Sequence, residues 1–173
     1  EPLSRADIPQ VNFYKYSYLF KAMVYVLTSG KDFNEARKKI REAQKQGAEV
    51  IFTSNDDELS RKVLEKETIS MLLISQEGRR DMAKQRNSGF NQVLAKTAKK
   101  KDVVVGINLD EVLNAGQEEK SEILSRIRQN VKLCNKNKLK MRFISKSDQE
   151  KDKYDLKSLG LVLGMPTWMV KNL

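Results

Sequence analysis

The sequence predicts an α/β fold built on a mainly parallel sheet. Apolar runs such as residues 103–109 are hydrophobic at consecutive positions, which is typical of strands covered on both faces of a parallel sheet. Amphipathic helical segments separate these runs, so strands and helices alternate along the chain. The length of 173 residues suits a single domain and falls below the roughly 250 residues of a complete eight-unit barrel.

The N-terminal part supplies an arm and two predicted strands. Residues 1–10 carry two of the three prolines and no periodicity, so we expect an extended arm. Aromatic side chains alternate with Lys15 and Ser17 in residues 11–20, as in a strand with one face more exposed to solvent than the other. Residues 22–27 form a second apolar run. The alternation also fits a stacking surface for unpaired bases, although an ordinary edge strand is the favoured interpretation.

The first predicted helix follows Gly30. Asp32 and Glu35 have the spacing of a capping box, and Gly47 is placed to end the helix. The helix buries Phe33, Ala36, Ile40 and Ala43. Its exposed face is either a solvated surface or a candidate phosphate-contact surface; it bears Arg37, Lys38, Arg41 and Lys45.

The alternation continues to the C-terminus. Residues 49–53 and 69–74 are predicted strands that flank a short helix containing Leu59, Val63 and Leu64. A helix over residues 88–98 follows, with Ser88 as its N-cap. Its predicted apolar stripe consists of Phe90, Val93, Leu94, Thr97 and Ala98.

After the strand at residues 103–109, the sequence predicts three more elements. They are a helix over residues 123–138, a strand over residues 141–145 and a helix within residues 155–165. The pattern alone leaves open whether the strands form a barrel or an open sheet.

The composition indicates a nucleic-acid partner. Thirty-three Lys and Arg against twenty-three Asp and Glu give a formal charge of +10 and a pI of about 9.6. A soluble basic protein without such a partner is the alternative.

The single cysteine, Cys134, excludes an intramolecular disulfide and is predicted to be buried. With no apolar run of membrane-spanning length and no signal peptide, we expect a cytoplasmic protein without a membrane partner.

The sequence contains no histidine, which limits its chemistry. An imidazole general base, a Ser-His or Cys-His pair and a His-containing metal site are excluded within these residues. Asp110 and Glu111 follow the central strand, and four further acidic residues lie within 148–155. Because magnesium takes few protein ligands, we interpret the acids as solvated or helix-capping groups. We expect no catalytic residue and no metal ligand.

Residues 78–86, GRRDMAKQR, concentrate basic side chains after a predicted strand. Loops at the carboxyl ends of parallel strands are where ligands bind in α/β folds. Arg79, Arg80, Lys84 and Arg86 therefore form the best-placed basic cluster, and the planar guanidinium suits a phosphate or a base edge. The alternative is a flexible basic loop with no fixed partner.

Residues 86–98, RNSGFNQVLAKTA, resemble the signature of protein component 3 of archaeal ribonuclease P, the thirty-kilodalton subunit family. Residues 123–138 with the following strand MRFIS, and residues 155–165, are also similar to that family and occur in its order. The match is poor before about Gly78 and after Met165. The motif residues carried over from the family are Arg86, Asn87, Ser88, Gly89 and Asn91.

This resemblance implies a TIM-barrel-like parallel barrel, abbreviated or irregular, in a single domain over residues 1–173. It implies a non-catalytic subunit of the ribonucleoprotein that removes the 5′ leader of precursor tRNA, with catalysis supplied by RNA and magnesium. Such a subunit would pair with protein component 2 and other ribonuclease P proteins, stabilise the catalytic RNA and meet precursor tRNA only indirectly. We hypothesise RNA contacts by Arg79, Arg80, Arg86, Lys96, Lys99, Arg128, Lys136 and Lys146.

Two alternatives from other classes stay open. A metal-dependent phosphoesterase on a similar barrel, using only carboxylates, predicts that the protein alone hydrolyses a generic phosphodiester. A scaffold that binds only proteins predicts no salt-dependent affinity for RNA.

Overall fold

The computed structural model describes residues 13–14, 25–145 and 151–173. In these ranges one sheet contains six strands whose spatial order follows the sequence. The first pair is antiparallel and the others are parallel, which confirms the predicted parallel α/β arrangement. The strands are β1 (Phe13–Tyr14), β2 (Tyr25–Thr28), β3 (Glu49–Ser54), β4 (Met71–Ile74), β5 (Val104–Asn108) and β6 (Met141–Ile144).

Helices connect the successive parallel strands and complete the fold at the C-terminus. They are α1 (Phe33–Lys45), α2 (Asp57–Lys66), α3 (Gln92–Lys100), α4 (Leu109–Asn114), α5 (Gln117–Lys136), α6 (Lys153–Val162) and α7 (Thr167–Val170). Sequential strand order with helical crossovers is the order found in a barrel wall, so the fold is consistent with a TIM-barrel-like architecture. Within the described ranges the first and last strands do not pair, and a closed barrel is not shown.

The sheet buries apolar side chains on both faces, as the consecutive hydrophobic positions predict. Val50 and Phe52 of β3 join the main core between the sheet and the helices. Ile51, between them, joins a second cluster with Leu73 on the opposite face. Gly106 of β5 makes room there, because a Cβ atom at this position would lie 2.9 Å from Leu73 Cδ1. The parallel sheet therefore lies between two apolar layers.

Helix α1 begins and ends where the sequence predicts. The Asp32 side chain accepts a hydrogen bond from the Glu35 backbone N–H at 2.9 Å, and Gly47 has the left-handed φ of 72°. The Glu35 carboxylate, however, accepts from the backbone N–H of Lys31 rather than that of Asp32. Of the two hydrogen bonds of the predicted capping box, the one accepted by the Asp32 side chain therefore forms, and the one from the Asp32 backbone N–H to Glu35 does not.

The start of α3 differs from the prediction. Asn91, rather than Ser88, is the N-cap, and its side chain accepts hydrogen bonds from the backbone N–H groups of Val93 and Leu94. The prediction that Val93 faces the core is also wrong, because its side chain is 57% exposed while Ala95 is fully buried. Moving the cap by three residues leaves the loop before α3 longer than predicted.

Two other boundaries depart from the sequence pattern. Helix α5 begins at Gln117, six residues before the predicted start, and α4 was not predicted because its six residues are too few to show periodicity.

Cys134 lies in the main core as predicted. Burial raises the pKa of its thiol to about 12, so the thiol stays protonated at neutral pH.

Several predictions concern residues outside the described ranges. The N-terminal arm at residues 1–10, most of the predicted strand at residues 11–20, and Lys146 fall there. None of the helices in the described part of the chain is long and apolar enough to cross a bilayer.

Candidate nucleic-acid interface

Residues 75–91 connect β4 to α3 and contain the basic cluster and most of the family motif. The Glu111 carboxylate holds the beginning of this connection by accepting hydrogen bonds from Ser75 Oγ and the Gln76 backbone N–H, both at 2.7 Å. The same carboxylate accepts from Asn108 Nδ2 at 3.0 Å. Glu111 therefore joins the carboxyl ends of β4 and β5, which gives this acid a structural function.

A buried arginine on α5 holds the middle of the connection. The Arg126 side chain is only 1% exposed, and its Nε donates to Asp81 Oδ1 at 2.7 Å. Its two Nη atoms donate to Glu122 Oε2 at 2.9 Å and to the Gln76 carbonyl at 3.4 Å. Because a buried guanidinium needs such partners, these contacts fix the connection against α5.

Asp81 stays ionised in this setting. Burial alone would raise the pKa of its carboxyl, but hydrogen bonds from Arg126 and from the Asn87 backbone N–H oppose that effect. Together with the positive charges of Arg126 and Arg86, they lower the pKa below its ordinary value of 3.8. Asp81 thus links α5 electrostatically to the family motif.

The serine of the motif is buried at the centre of a hydrogen-bond network. The Ser88 carbonyl accepts from Gln76 Nε2 at 3.0 Å and from Asn130 Nδ2 at 3.3 Å. Its hydroxyl donates to the Phe90 carbonyl and accepts from Gln129 Nε2, both at 3.2 Å. These inward contacts explain why Ser88 does not cap α3.

Arg79 and Gly89 pack against each other at the base of the connection. The Arg79 guanidinium donates to both carboxylate oxygens of Asp57, at 2.7 and 3.1 Å, and its Nε donates to the Ser75 carbonyl at 2.6 Å. Gly89 has a φ of 67°, and a Cβ atom there would overlap this guanidinium. Arg79 is therefore a clamp between the connection and α2, and its RNA contact stays a prediction.

The remaining basic residues of the connection point into solvent. A hairpin turn forms between Met82 and Gln85, whose backbones exchange hydrogen bonds of 2.9 and 3.2 Å. Arg80, Lys84 and Arg86 are exposed on this hairpin. In the ranges that the structure covers, these three side chains make no hydrogen bond or salt bridge.

Arg86 also borders an open cleft. The cleft has a volume of about 290 Å³ and runs along the family motif from Arg86 to Asn91, with Arg61 and Gln129 among its other lining residues. Its cationic and amide side chains are groups that bind phosphate or sugar oxygens. The carboxylates of Asp57 and Glu58 also line it, so the cleft is of mixed charge.

The other predicted RNA-contact residues lie elsewhere. Lys96 and Lys99 are on α3, and Lys136 is the last residue of α5. The two helices meet at this end, since Lys99 Nζ donates to the Lys138 carbonyl at 3.1 Å. Arg128 is exposed and approaches the Val162 carbonyl at the end of α6 at 3.5 Å. The structure thus separates the described candidates into four sets: Arg80 and Arg86 on the hairpin, the lysines of α3 and α5, Arg128, and the clamp Arg79.

The sequence pattern did not predict the burial of Arg126 or the pairing of the α1 cations with carboxylates. Arg126 lies beside the apolar positions Ile123 and Ile127, which was the available signal that it faces inward. On α1, Arg37 and Arg41 lie 3.0 and 3.6 Å from the buried Glu67 carboxylate, a contact that no local pattern reveals.

The acidic residues do not assemble into an evident metal site. Among the described residues, no three metal-ligating side chains are grouped closely enough to hold an ion. Asp152 is the N-cap of α6 and accepts from the backbone N–H groups of Tyr154 and Asp155, at 2.6 and 3.2 Å. This confirms its predicted helix-capping function.

No family model matches the sequence. The structure is similar to a chain in the cryo-EM structure of archaeal ribonuclease P with mature tRNA, with a TM-score of 0.69 and 22% sequence identity. The similarity covers 85% of this chain and 62% of that chain, so this chain spans less than two thirds of that chain's length. The two chains therefore share a fold.

Proposed function

We propose that the chain is a protein subunit of ribonuclease P that binds the ribonuclease P RNA and supports removal of the 5′ leader from precursor tRNA. The observation that carries this proposal is the shared fold with a chain of an archaeal ribonuclease P complex over 85% of this chain. The motif at residues 86–98 resembles the signature of protein component 3, and this resemblance supports the narrower proposal that the chain is that subunit.

The charge distribution supports an RNA partner. The formal charge is +10, and the hairpin exposes Arg80, Lys84 and Arg86 without carboxylate neighbours within salt-bridge distance in the described chain. Unpaired cations can neutralise phosphates and release their counterions, which gives RNA binding its affinity and its salt dependence.

The arrangement of the motif supports a binding function. Ser88 and Gly89 fold the connection, while Asn87 contacts Asp81 and Arg79 through its backbone N–H and side-chain oxygen. These contacts hold Arg86 next to the cleft. The motif is therefore a frame that positions exposed groups, since its buried members bond to one another and to α5.

The chemistry of the site favours a non-catalytic subunit. No histidine is present to act as a base, and the Glu111 and Asp81 carboxylates are engaged in internal hydrogen bonds. In this proposal the RNA and its magnesium ions cut the precursor tRNA, and the protein braces the RNA by phosphate contacts. The chain itself needs no cofactor for that task.

The proposal extends to partners and architecture. The subunit pairs with protein component 2 in the cytoplasm, alongside the other ribonuclease P proteins, and reaches precursor tRNA through the RNA. Its sheet forms an abbreviated TIM-like barrel in a single domain, with residues 1–10 as an arm. Pulldown of this chain by tagged component 2, with and without RNA, tests the pairing.

A reconstitution experiment tests the function. Precursor tRNA cleavage by ribonuclease P RNA is measured at moderate magnesium with component 2 present, with and without this chain. We expect stimulation that needs both proteins and no cleavage by the proteins alone. Cleavage by this chain without RNA would instead support the carboxylate-only phosphoesterase, and neither binding nor stimulation would support a scaffold that binds only proteins.

A further inference from the structure

The hairpin after β4 exposes an apolar side chain among its unpaired cations. Met82 is 75% exposed. It begins the hairpin turn, which is closed by the backbone hydrogen bonds between Met82 and Gln85. Arg80, Lys84 and Arg86 are within four residues of it along the chain and are also exposed. A large apolar group at the tip of a basic hairpin is available for contact with a partner.

The base of the hairpin is fixed, although its tip is exposed. Asp81, next to Met82, accepts hydrogen bonds from the buried Arg126 side chain at 2.7 Å and from the Asn87 backbone N–H at 2.8 Å. Arg79, two residues before Asp81 on the same arm, is tied to Asp57 and to the Ser75 carbonyl. Because the backbone is already held in place, binding at the tip costs little ordering entropy.

The chemistry of the tip fits an unstacked base in an RNA strand. A methionine side chain gains from burial against a flat ring, and its sulfur makes favourable contacts with aromatic systems. The flanking phosphates attract the surrounding cations. A continuous RNA duplex offers phosphates but keeps its base faces stacked, and side chains cannot read its deep, narrow major groove. Loops and bulges present both features together.

We propose that the hairpin docks onto ribonuclease P RNA where a base is unstacked. Met82 packs on the face of that base, while Arg80, Lys84 and Arg86 contact the neighbouring phosphates. This inference rests on the proposed function and adds to it the element of the protein that docks and the feature of the RNA that it recognises. A protein surface would need acidic groups around an apolar pocket to match the same tip.

Three RNA probes test this inference with the full chain. They are a blunt RNA duplex, the same duplex interrupted by a loop of unpaired adenosines, and ribonuclease P RNA. The Met82→Gln variant keeps the side-chain length but removes its apolar end. We expect about two- to tenfold weaker binding to the interrupted duplex and to ribonuclease P RNA, with an unchanged salt slope and unchanged binding to the blunt duplex.

Two further variants provide the controls. Lys84→Gln should weaken binding to all three probes and lower the salt slope by about 0.7 to 0.9, because it removes one phosphate contact. Leu161→Gln makes a comparable change at an exposed position on α6 and should leave every affinity unchanged. Equal thermal unfolding midpoints of wild type and variants exclude misfolding as the cause of any loss.

The outcomes separate this inference from the proposed function. If wild type fails to bind ribonuclease P RNA, both are overturned. If wild type binds ribonuclease P RNA and Met82→Gln binds every probe as tightly as wild type does, only the docking inference is overturned. Loss of component 2 binding in Met82→Gln, with RNA affinity intact, would assign the tip to a protein partner and would also overturn it.

Discussion

The α1–α2 face and the hairpin after β4 are both rich in Lys and Arg, but only the first pairs these charges internally. On the α1–α2 face, six cations each lie within 4.0 Å of a carboxylate: Arg37, Lys38, Lys39, Arg41, Arg61 and Lys62. On the hairpin, Arg80, Lys84 and Arg86 have no such neighbour among the described residues. The two surfaces present similar side chains and different electrostatic fields.

This difference shows why cation counts alone do not locate an RNA surface. A phosphate approaching the α1–α2 face meets carboxylates of its own sign. On the hairpin, the nearby Asp81 carboxylate is hydrogen-bonded to the buried Arg126, and the three exposed cations have no carboxylate within salt-bridge distance among the described residues. The sequence made the exposed face of α1 a candidate phosphate-contact surface. The pairing of Arg37 and Arg41 with Glu67 argues against that interpretation, and the hairpin is the better candidate.

The largest effect on stability is expected from the arginine that anchors the hairpin. Arg126→Met removes three hydrogen bonds of a buried guanidinium, to Asp81, Glu122 and the buried Gln76 carbonyl, so we expect a loss of about 3 kcal/mol in the free energy of unfolding, measured by urea denaturation. Arg128→Met, two residues along the same helix but exposed, should change it by less than about 0.5 kcal/mol. Similar losses in both variants would contradict the assignment of Arg126 as the anchor.

The two left-handed glycines of the connection provide a second, smaller contrast. Gly89 and Gly78 have φ values of 67° and 68°, but only at Gly89 would a Cβ atom overlap the Arg79 guanidinium. Gly78→Ala should cost about 1 kcal/mol from backbone strain alone, and Gly89→Ala about 2 kcal/mol. Equal costs in urea denaturation would show that Arg79 moves freely and does not clamp the connection.

The smallest stability effect concerns acid pH. Because the pKa of Asp81 is lowered in the folded state, its ionised form stabilises the fold above the unfolded value near 3.8, and this contribution is lost as pH falls through the folded pKa. The stability difference between wild type and Asp81→Asn should therefore shrink below about pH 3.8. If the difference in the free energy of unfolding stays constant across that pH range, the ionised Asp81 carboxylate does not contribute to stability.

Local signals predicted most of the fold. The capping of α1 by Asp32, the end of that helix at Gly47 and the double-sided apolar strands depend on neighbours in sequence, and all three were recognised. Ser88 was misassigned because Ser88 and Asn91 are both good caps. The choice between them depends on contacts from Gln76 and α5, which are distant in the sequence.

The site was predictable only in part, for the same reason. The sequence located the basic cluster after β4 and the motif around Gly89. It could not separate the clamp Arg79 from the exposed Arg80, because their difference is created by Asp57 on α2. The inward position of Arg126 likewise depends on Asp81, which is far away along the chain. The apolar spacing of α5 indicates which way Arg126 faces, but it does not identify the partner of the ion pair.

The salt dependence of binding to ribonuclease P RNA tests the central claim most directly. Two matched double variants each lose one lysine and one arginine: Lys84→Gln with Arg86→Gln on the hairpin, and Lys38→Gln with Arg41→Gln on α1. We expect the hairpin variant to bind more weakly and to lower the salt slope by about 0.7 to 0.9 per lost contact, while the α1 variant matches wild type. Equal losses in both variants, or none on the hairpin, would contradict the account.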